Sequence, residues 1–173
     1  MLNNSQITAL NDRLSTNRQA VGGIWGPPGT GKTFVGVEEA VESVIKNDER
    51  VLIRAYENST VDQLIRNSTK LLQRRYGWSQ DVIARSVRRT GFIARAAPDL
   101  YPYCTRNRHE LSIARIVGTT LHSSYMTTGR MILQEESFDR IIMDESGQVT
   151  LQQAWIPLRL LRNSDNVAMS VYK

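Results

Sequence analysis

The sequence has little of what extracellular and membrane proteins need. Cysteine occurs once in 173 residues, at Cys104, which excludes an internal disulfide and a zinc site made of cysteines. We therefore expect a reducing, intracellular compartment. No apolar run is long enough to cross a bilayer and no signal peptide follows Met1, so no membrane attachment is expected.

Internal repeats and low-complexity tracts are also missing. Hydrophobic residues make up 40% of the chain, an ordinary share for a globular protein, and 173 residues suit a single domain. The formal net charge is +5, which permits a polyanionic partner without requiring one. His109 and His122 have no metal-ligand spacing.

The run GPPGTGKT is a complete P-loop. Its glycines let backbone N–H groups turn towards phosphate oxygens, while Lys32 reaches the β and γ phosphates and Thr33 ligates Mg²⁺. An apolar strand precedes the loop and a helix follows it, so the helix N-terminus also favours an anion. The nucleotide-binding residues expected here are Gly26, Pro27, Pro28, Gly29, Thr30, Gly31, Lys32 and Thr33.

Strands and helices alternate along the chain, which predicts a parallel sheet with helices on both faces. The predicted strands are Ala20 to Trp25, Val51 to Ala55, one within Arg115 to Gly118, Ile141 to Met143, and Val167 to Val171. Ser5 is the expected cap of a first helix, and Ser59 or Thr60 that of a helix after the second strand. A last helix is predicted around Leu151 to Leu161.

The segment FDRIIMDESGQ, from Phe138 to Gln148, supplies the second half of a nucleotide site. A strand that ends in Asp-Glu places carboxylates beside the phosphates. We expect Asp144 to hold Mg²⁺ through water and Glu145 to orient and polarise the attacking water. Together with the P-loop, this pair predicts hydrolysis of the nucleotide.

Further segments match one family in order. LNNSQITAL resembles the motif with which superfamily 1 helicases read adenine, with Gln6 as the reader, and GPPGTGKT is motif I. RVLIRAYENSTVDQL resembles motif Ia, with Tyr56 and Glu57 in place of the usual Pro and Ser, and IVGTTLHSS resembles motif Ib. FDRIIMDESGQVTLQQAWIPL resembles motif II, including Gln148. The chain thus resembles the first RecA-like motor domain of an Upf-type superfamily 1 helicase.

The resemblance implies functional residues beyond the nucleotide site. ATP and Mg²⁺ are the implied cofactors, and the catalytic set is Lys32, Asp144, Glu145 and Gln148. Single-stranded RNA or DNA is the implied partner, contacted by Asn58, Ser59, Thr119 and Thr120. Residues 66–115 lie where the family inserts a subdomain within the 1–173 motor domain. This stretch is basic and interleaved with Trp78, Phe92, Tyr101 and Tyr103, so it favours either strand binding, with Arg88 and Arg89 on phosphates, or an ordinary solvated face.

The family also has features that this sequence lacks. No Gly-Asp-x-x-Gln segment follows the last predicted strand, and a second motor domain and its arginine finger would have to lie outside this chain. We therefore expect a truncated motor that does not unwind duplexes alone. Two alternatives stay open here: an AAA+ ring ATPase, which shares GPPGTGKT, and a nucleotide-gated nucleic-acid-binding module without turnover.

Overall fold

The computed structural model describes residues 2–15, 20–78, 82–87, 97–121, 133, 136–148, 150, 158–163 and 167–173. Helices within these ranges are α1 (Asn4–Leu14), α2 (Lys32–Asn47), α3 (Asn58–Tyr76) and α4 (Arg108–Ile113), with 3₁₀ helices at Pro98–Tyr103 and Ser146–Gln148. The strands are β1 (Ala20–Ile24), β2 (Val51–Ala55), β3 (Ile83–Ser86), β4 (Cys104–Thr105), β5 (Ile116–Thr120), β6 (Arg140–Asp144) and β7 (Ala168–Tyr172).

The described strands form one parallel sheet in the order β1-β7-β6-β2-β5-β3-β4. This confirms the predicted sheet. The strand before the P-loop and the strand that ends at Asp144 both flank β7. Their carboxyl ends therefore share one edge of the sheet, where ligands bind in open α/β folds.

Side chains alternate between the two faces of the sheet. In β2, Val51, Ile53 and Ala55 pack in one apolar cluster together with residues of α1, α2 and α3. Leu52 points the other way, into a second cluster that includes Leu111 of α4. Because both faces carry apolar side chains, helices cover the sheet on both sides, as a buried parallel sheet requires.

Two predicted helix caps are wrong. The first helix is capped by Asn3, not Ser5: the Asn3 Oδ1 accepts from the Gln6 backbone N–H at 2.9 Å, and the Gln6 Oε1 accepts from the Asn3 N–H at 2.9 Å. This reciprocal pair satisfies two helix N–H groups at once, which a lone serine does not. The third helix starts at Asn58 after Glu57, so Ser59 and Thr60 lie inside it.

The strands β3 and β4 were not predicted. Both lie within 66–115, as do the end of α3, the 3₁₀ helix Pro98–Tyr103 and α4, while residues 79–81 and 88–96 lie outside the described residues. An inserted subdomain in this range stays a prediction. The predicted helix around Leu151 to Leu161 has its first seven residues outside the described ranges. No helix in the described parts of the chain is long and apolar enough to span a membrane.

Candidate nucleotide site and nucleic-acid edge

The P-loop connects β1 to α2 at the carboxyl edge of the sheet. Its turn needs glycine at two positions, because Gly29 has φ 80° and Gly31 has φ 79°, a region that other residues rarely adopt. At Gly31 a Cβ would also lie 2.6 Å from the Nε2 of Gln6, so a side chain there would displace the Gln6 amide from its place on the loop. Thr30 closes the turn through a hydroxyl bond to the Pro27 carbonyl, at 2.8 Å.

The ammonium of Lys32 lies over this loop. Its Nζ donates to the carbonyl oxygens of Gly26 and Pro27, at 2.6 and 2.8 Å. Lys32 is also the first residue of α2, whose opening N–H groups have no side-chain cap at Gly31. The loop therefore gathers a cation and a helix N-terminus, the two elements that favour a bound phosphate.

Thr33 and Asp144 meet across the sheet edge. The Thr33 hydroxyl donates to the Asp144 Oδ2 at 2.8 Å, although the two residues are 111 positions apart in the chain. The other carboxylate oxygen, Oδ1, accepts from the Glu145 backbone N–H at 2.9 Å. Asp144 is buried at the end of β6. The structure thus brings together the two residues predicted to bind metal.

Glu145 has an unusual backbone. Its φ of 55° lies in the left-handed region, where a residue with a side chain is strained by about 1–3 kcal/mol. The Glu145 side chain is exposed, and its Oε2 accepts from the Thr60 hydroxyl at 2.9 Å. Thr60 was predicted only as a helix cap, and no local sequence signal links it to a residue 85 positions away. Gln148 ends the short helix that follows, Ser146–Gln148.

Gln6 lies against the P-loop, as an adenine reader should. Its Nε2 donates to the Thr30 carbonyl at 2.8 Å, while its Oε1 accepts the capping hydrogen bond of α1 from the Asn3 N–H. The amide therefore holds α1 to the loop through both of its polar atoms. Base recognition by Gln6 stays a prediction, and these two bonds do not exhaust the amide, which carries two N–H donors and two acceptor lone pairs.

A buried ionic network behind the loop was missed by the sequence reasoning. Glu39 of α2, fully buried, accepts from Arg140 at 2.9 Å, from Ser170 at 2.6 Å and from the Tyr172 hydroxyl at 2.5 Å. Arg140 also contacts Glu49, at 2.6 Å. Burial opposes the Arg140 charge, yet the hydrogen bond to Glu49 and the charges of Glu39 and Glu49 raise its pKa. This network fixes α2 against β6 and β7.

The residues predicted to bind a nucleic-acid strand lie at the carboxyl ends of β2 and β5. Ser59 donates to the Glu57 carboxylate at 3.0 Å, and the Asn58 Oδ1 accepts from Arg85 at 2.8 Å. Thr119 and Thr120 are both buried. Contact with a strand therefore stays a prediction for these four residues, and for Arg88 and Arg89, which lie outside the described residues.

Part of the basic segment is neutralised where it is described. Arg66 pairs with Asp99, Arg75 with Glu38 and Glu42, and Arg85 with Asp62. Trp78 and Tyr103 pack against the first core cluster, whereas Tyr101 is exposed. Cys104 is half-buried, and burial raises the pKa of its thiol to about 11, which makes it unreactive at neutral pH.

A family model described as an AAA domain matches residues 1–110, more than half of the chain. The chain belongs to this family. The DNA polymerase alpha-associated DNA helicase A of Saccharomyces cerevisiae is 28% identical over 205 residues, covering 91% of this chain and 30% of that protein. The DNA replication ATP-dependent helicase/nuclease DNA2 of the same yeast is 28% identical over 143 residues, covering 79% of this chain and 8% of that protein.

The fold of this AAA domain is shared with solved helicases. The DEAD-box helicase Mss116, solved with ssRNA and UDP-BeF, is 17% identical with a TM-score of 0.70, and the match covers 99% of this chain and 35% of that one. This likeness confirms the RecA-like architecture. The relatives and the motifs together identify a superfamily 1 helicase motor domain, and the AAA+ ring ATPase is not favoured, since the relatives are helicases. The chain spans less than a third of the length of either yeast relative.

Proposed function

We propose that this chain is the ATP-binding and ATP-hydrolysing half of a nucleic-acid helicase motor. Lys32 and the N–H groups at the start of α2 hold the β and γ phosphates. Thr33 and Asp144 hold the metal ion, and Glu145 orients the water for in-line attack on the γ phosphate. Gln6 selects adenine.

The observation that carries this proposal is the 2.8 Å bond between the Thr33 hydroxyl and the Asp144 carboxylate. Either residue alone is common at the end of a strand or the start of a helix. Their contact brings the P-loop and motif II together at the sheet edge, and phosphoryl transfer requires this proximity.

The residues present fit Mg²⁺. Both Thr33 and Asp144 offer hard oxygen atoms, and Mg²⁺ takes few protein ligands because it retains water and binds phosphate oxygens. In the described part of the chain, no three acidic, histidine or cysteine side chains gather into a metal site. A metal here would therefore arrive with the nucleotide. When bound, it neutralises charge that develops on the transferred phosphoryl group.

Nucleic acid and a second motor domain complete the proposal. One yeast relative is named as a DNA polymerase alpha-associated DNA helicase and the other as a DNA replication helicase/nuclease, and the structural neighbour was solved with ssRNA. We therefore assign a single strand of RNA or DNA to the carboxyl edge near β2 and β5. We place the protein inside the cell on the same grounds.

An arginine finger typically contributes about 10³–10⁵ in rate. If a second domain supplies it, residues 1–173 alone turn over ATP very slowly and do not unwind duplexes.

Calorimetric titration with Mg²⁺-ATP and with ADP tests the nucleotide site. We expect weak but measurable binding by the wild type and none by Lys32→Ala, because the variant loses the cation of the loop. Lys46→Ala is the matched control: Lys46 lies in the same helix but is exposed near its other end, paired with Glu42. Equal affinities in the wild type and Lys32→Ala would refute the assignment.

A further inference from the structure

The sheet contains buried arginines with very different surroundings. Arg54, Arg85 and Arg140 are each at most 1% exposed. Arg85 donates to the Asp62 carboxylate at 2.8 Å, and Arg140 to Glu39 and Glu49 at 2.9 and 2.6 Å. Each of these two cations therefore has a carboxylate within bonding distance, as buried charges need.

Arg54 has no such partner among the described residues. Its Nη2 donates to the Leu121 carbonyl at 3.1 Å, and neither Nε nor Nη1 has a hydrogen-bond acceptor. Burial lowers the pKa of the guanidinium to about 9, which leaves it charged at neutral pH. A desolvated cation with unused donors costs stability unless an anion satisfies it.

The guanidinium lies at the carboxyl edge of the sheet. Arg54 is the penultimate residue of β2 and is in register with Thr119 of β5, but its Nη2 reaches Leu121, two residues further towards the edge. Asn58 and Ser59, which begin α3, follow β2 at the same edge. Arg54 therefore comes shortly before one segment assigned to the nucleic-acid strand, the one after β2, and its side chain contacts the residue that follows the other, at the end of β5.

We propose that Arg54 binds a backbone phosphate of the nucleic-acid strand, through the N–H groups that no described residue accepts. This proposal rests on the strand-binding function proposed above and names a residue for it. Arginine is suited to the role because its planar donors match phosphate oxygens and keep their charge. Since Arg54 is fully buried, the phosphate would have to displace the Leu121 carbonyl, which accepts the one Arg54 side-chain hydrogen bond that is described.

Two measurements on the same variants test the proposal. Binding of a fluorescein-labelled single-stranded oligonucleotide, in DNA and RNA forms, is followed by anisotropy over a series of salt concentrations. Thermal melting of the free proteins is measured alongside. The variants are Arg54→Met, Arg54→Lys and, as the control for loss of one positive charge, Arg74→Met. Arg74 is exposed near the far end of α3, roughly 24 Å from Asn58 at the helical rise per residue.

Arg54→Met should bind more weakly than Arg74→Met and lower the slope of log affinity against log salt by about 0.7–0.9, the loss of one phosphate contact. Arg54→Lys should keep the slope. Free Arg54→Met should melt at the same temperature as the wild type or higher, because an unpaired buried charge has been removed. Equal slopes in Arg54→Met and the wild type would overturn the assignment of Arg54 while leaving strand binding intact.

Two other outcomes would also contradict the proposal, one about Arg54 and one about strand binding itself. Melting of Arg54→Met several degrees below the wild type would show that Arg54 stabilises the free protein and is not an unsatisfied charge, and would also overturn the proposal. A wild type that binds neither oligonucleotide would overturn the strand-binding function itself, and this inference with it.

Discussion

The two ends of the sheet's carboxyl edge are built differently. At the nucleotide end, Thr33, Asp144, Glu145 and Thr60 form a continuous chain of hydrogen bonds, and Lys32 is held by two carbonyls. At the strand end, near β2 and β5, a buried cation keeps donors that no described residue accepts. The first site is organised before its ligand arrives, while the second is arranged so that an anion would stabilise it.

The largest expected effect comes from exchanging two buried arginines of the sheet for methionine: Arg140, which is paired with carboxylates, and Arg54, which has none among the described residues. Arg140→Met should lower the free energy of unfolding by about 3–5 kcal/mol, because it leaves the buried carboxylate of Glu39 without its cation. Arg54→Met should cost nothing. Denaturant unfolding monitored by circular dichroism gives both free energies. A similar loss of stability in the two variants would contradict the claim that Arg140 is paired with carboxylates and Arg54 is not.

The next largest difference in stability is expected between alanine substitutions at two glycines, one near the strand end and one in the helix after the P-loop. Gly118 of β5 lies so close to α3 that a Cβ would sit 2.6 Å from the Cγ1 of Ile65, which is fully buried. Gly118→Ala should therefore destabilise the protein by about 1–3 kcal/mol. At Gly36 of α2 the nearest atoms to a Cβ are at 3.6 Å, an ordinary contact, so Gly36→Ala should stabilise by up to about 1 kcal/mol. Unfolding midpoints that move in the same direction would contradict this difference in packing.

The hydroxyl of Thr33 allows a test of the preorganised end. Thr33→Val keeps the shape but removes the donor to Asp144, and it should reduce the gain in nucleotide affinity on adding Mg²⁺ by roughly tenfold, equivalent to about 1.4 kcal/mol. Thr33→Ser restores the hydroxyl and should behave as the wild type. Titrations of ADP with and without Mg²⁺ decide the matter, and an unchanged metal dependence in Thr33→Val would remove Thr33 from the metal site.

The smallest effect concerns the base. Gln6→Ala should narrow a preference for ATP over GTP by a few-fold, since the amide supplies both a donor and an acceptor. The change also removes one half of the α1 capping box, the bond from the Asn3 N–H to the Gln6 side chain, so Asn3→Ala is needed beside it: this variant removes the other half but keeps the amide. Competition between the two nucleotides should show a reduced preference in Gln6→Ala alone. An equal reduction in both would make Gln6 a structural residue.

What the sequence predicted well is local. The bounds of β2 were predicted to the residue, and the P-loop turn and helix followed from glycine positions and apolar spacing. The edge strand β4 was not predicted because it is only two residues long. The strand β3 was not predicted because one of its four residues is an arginine, which is polar in the sequence although it is buried in the fold. Neither has the alternation by which a strand is recognised.

What the sequence could not predict depends on distant pairing. The bond from Thr60 to Glu145 and the ion pair of Arg140 with Glu39 join residues that are 85 and 101 positions apart. Arg54 follows three apolar residues in the printed sequence and looks like an ordinary end of a strand. The structure alone shows that Arg54, in register with Thr119, has a buried guanidinium bonded to the Leu121 carbonyl. It also shows that the other two nitrogens, Nε and Nη1, have no described acceptor.

The position of β1 has a consequence for how the protein folds. Within the described sheet, β1 pairs with β7 alone, with Ala20 opposite Ala168. The strand that carries the P-loop precedes the other described strands in the chain, whereas its partner β7 follows them, so the two cannot pair until the strands between them have been made. Pairing over such a separation is slow, because the chain loses the entropy of closing a long loop before any contact is gained. Nucleotide affinity should therefore appear late in refolding and report that β1 has paired with β7.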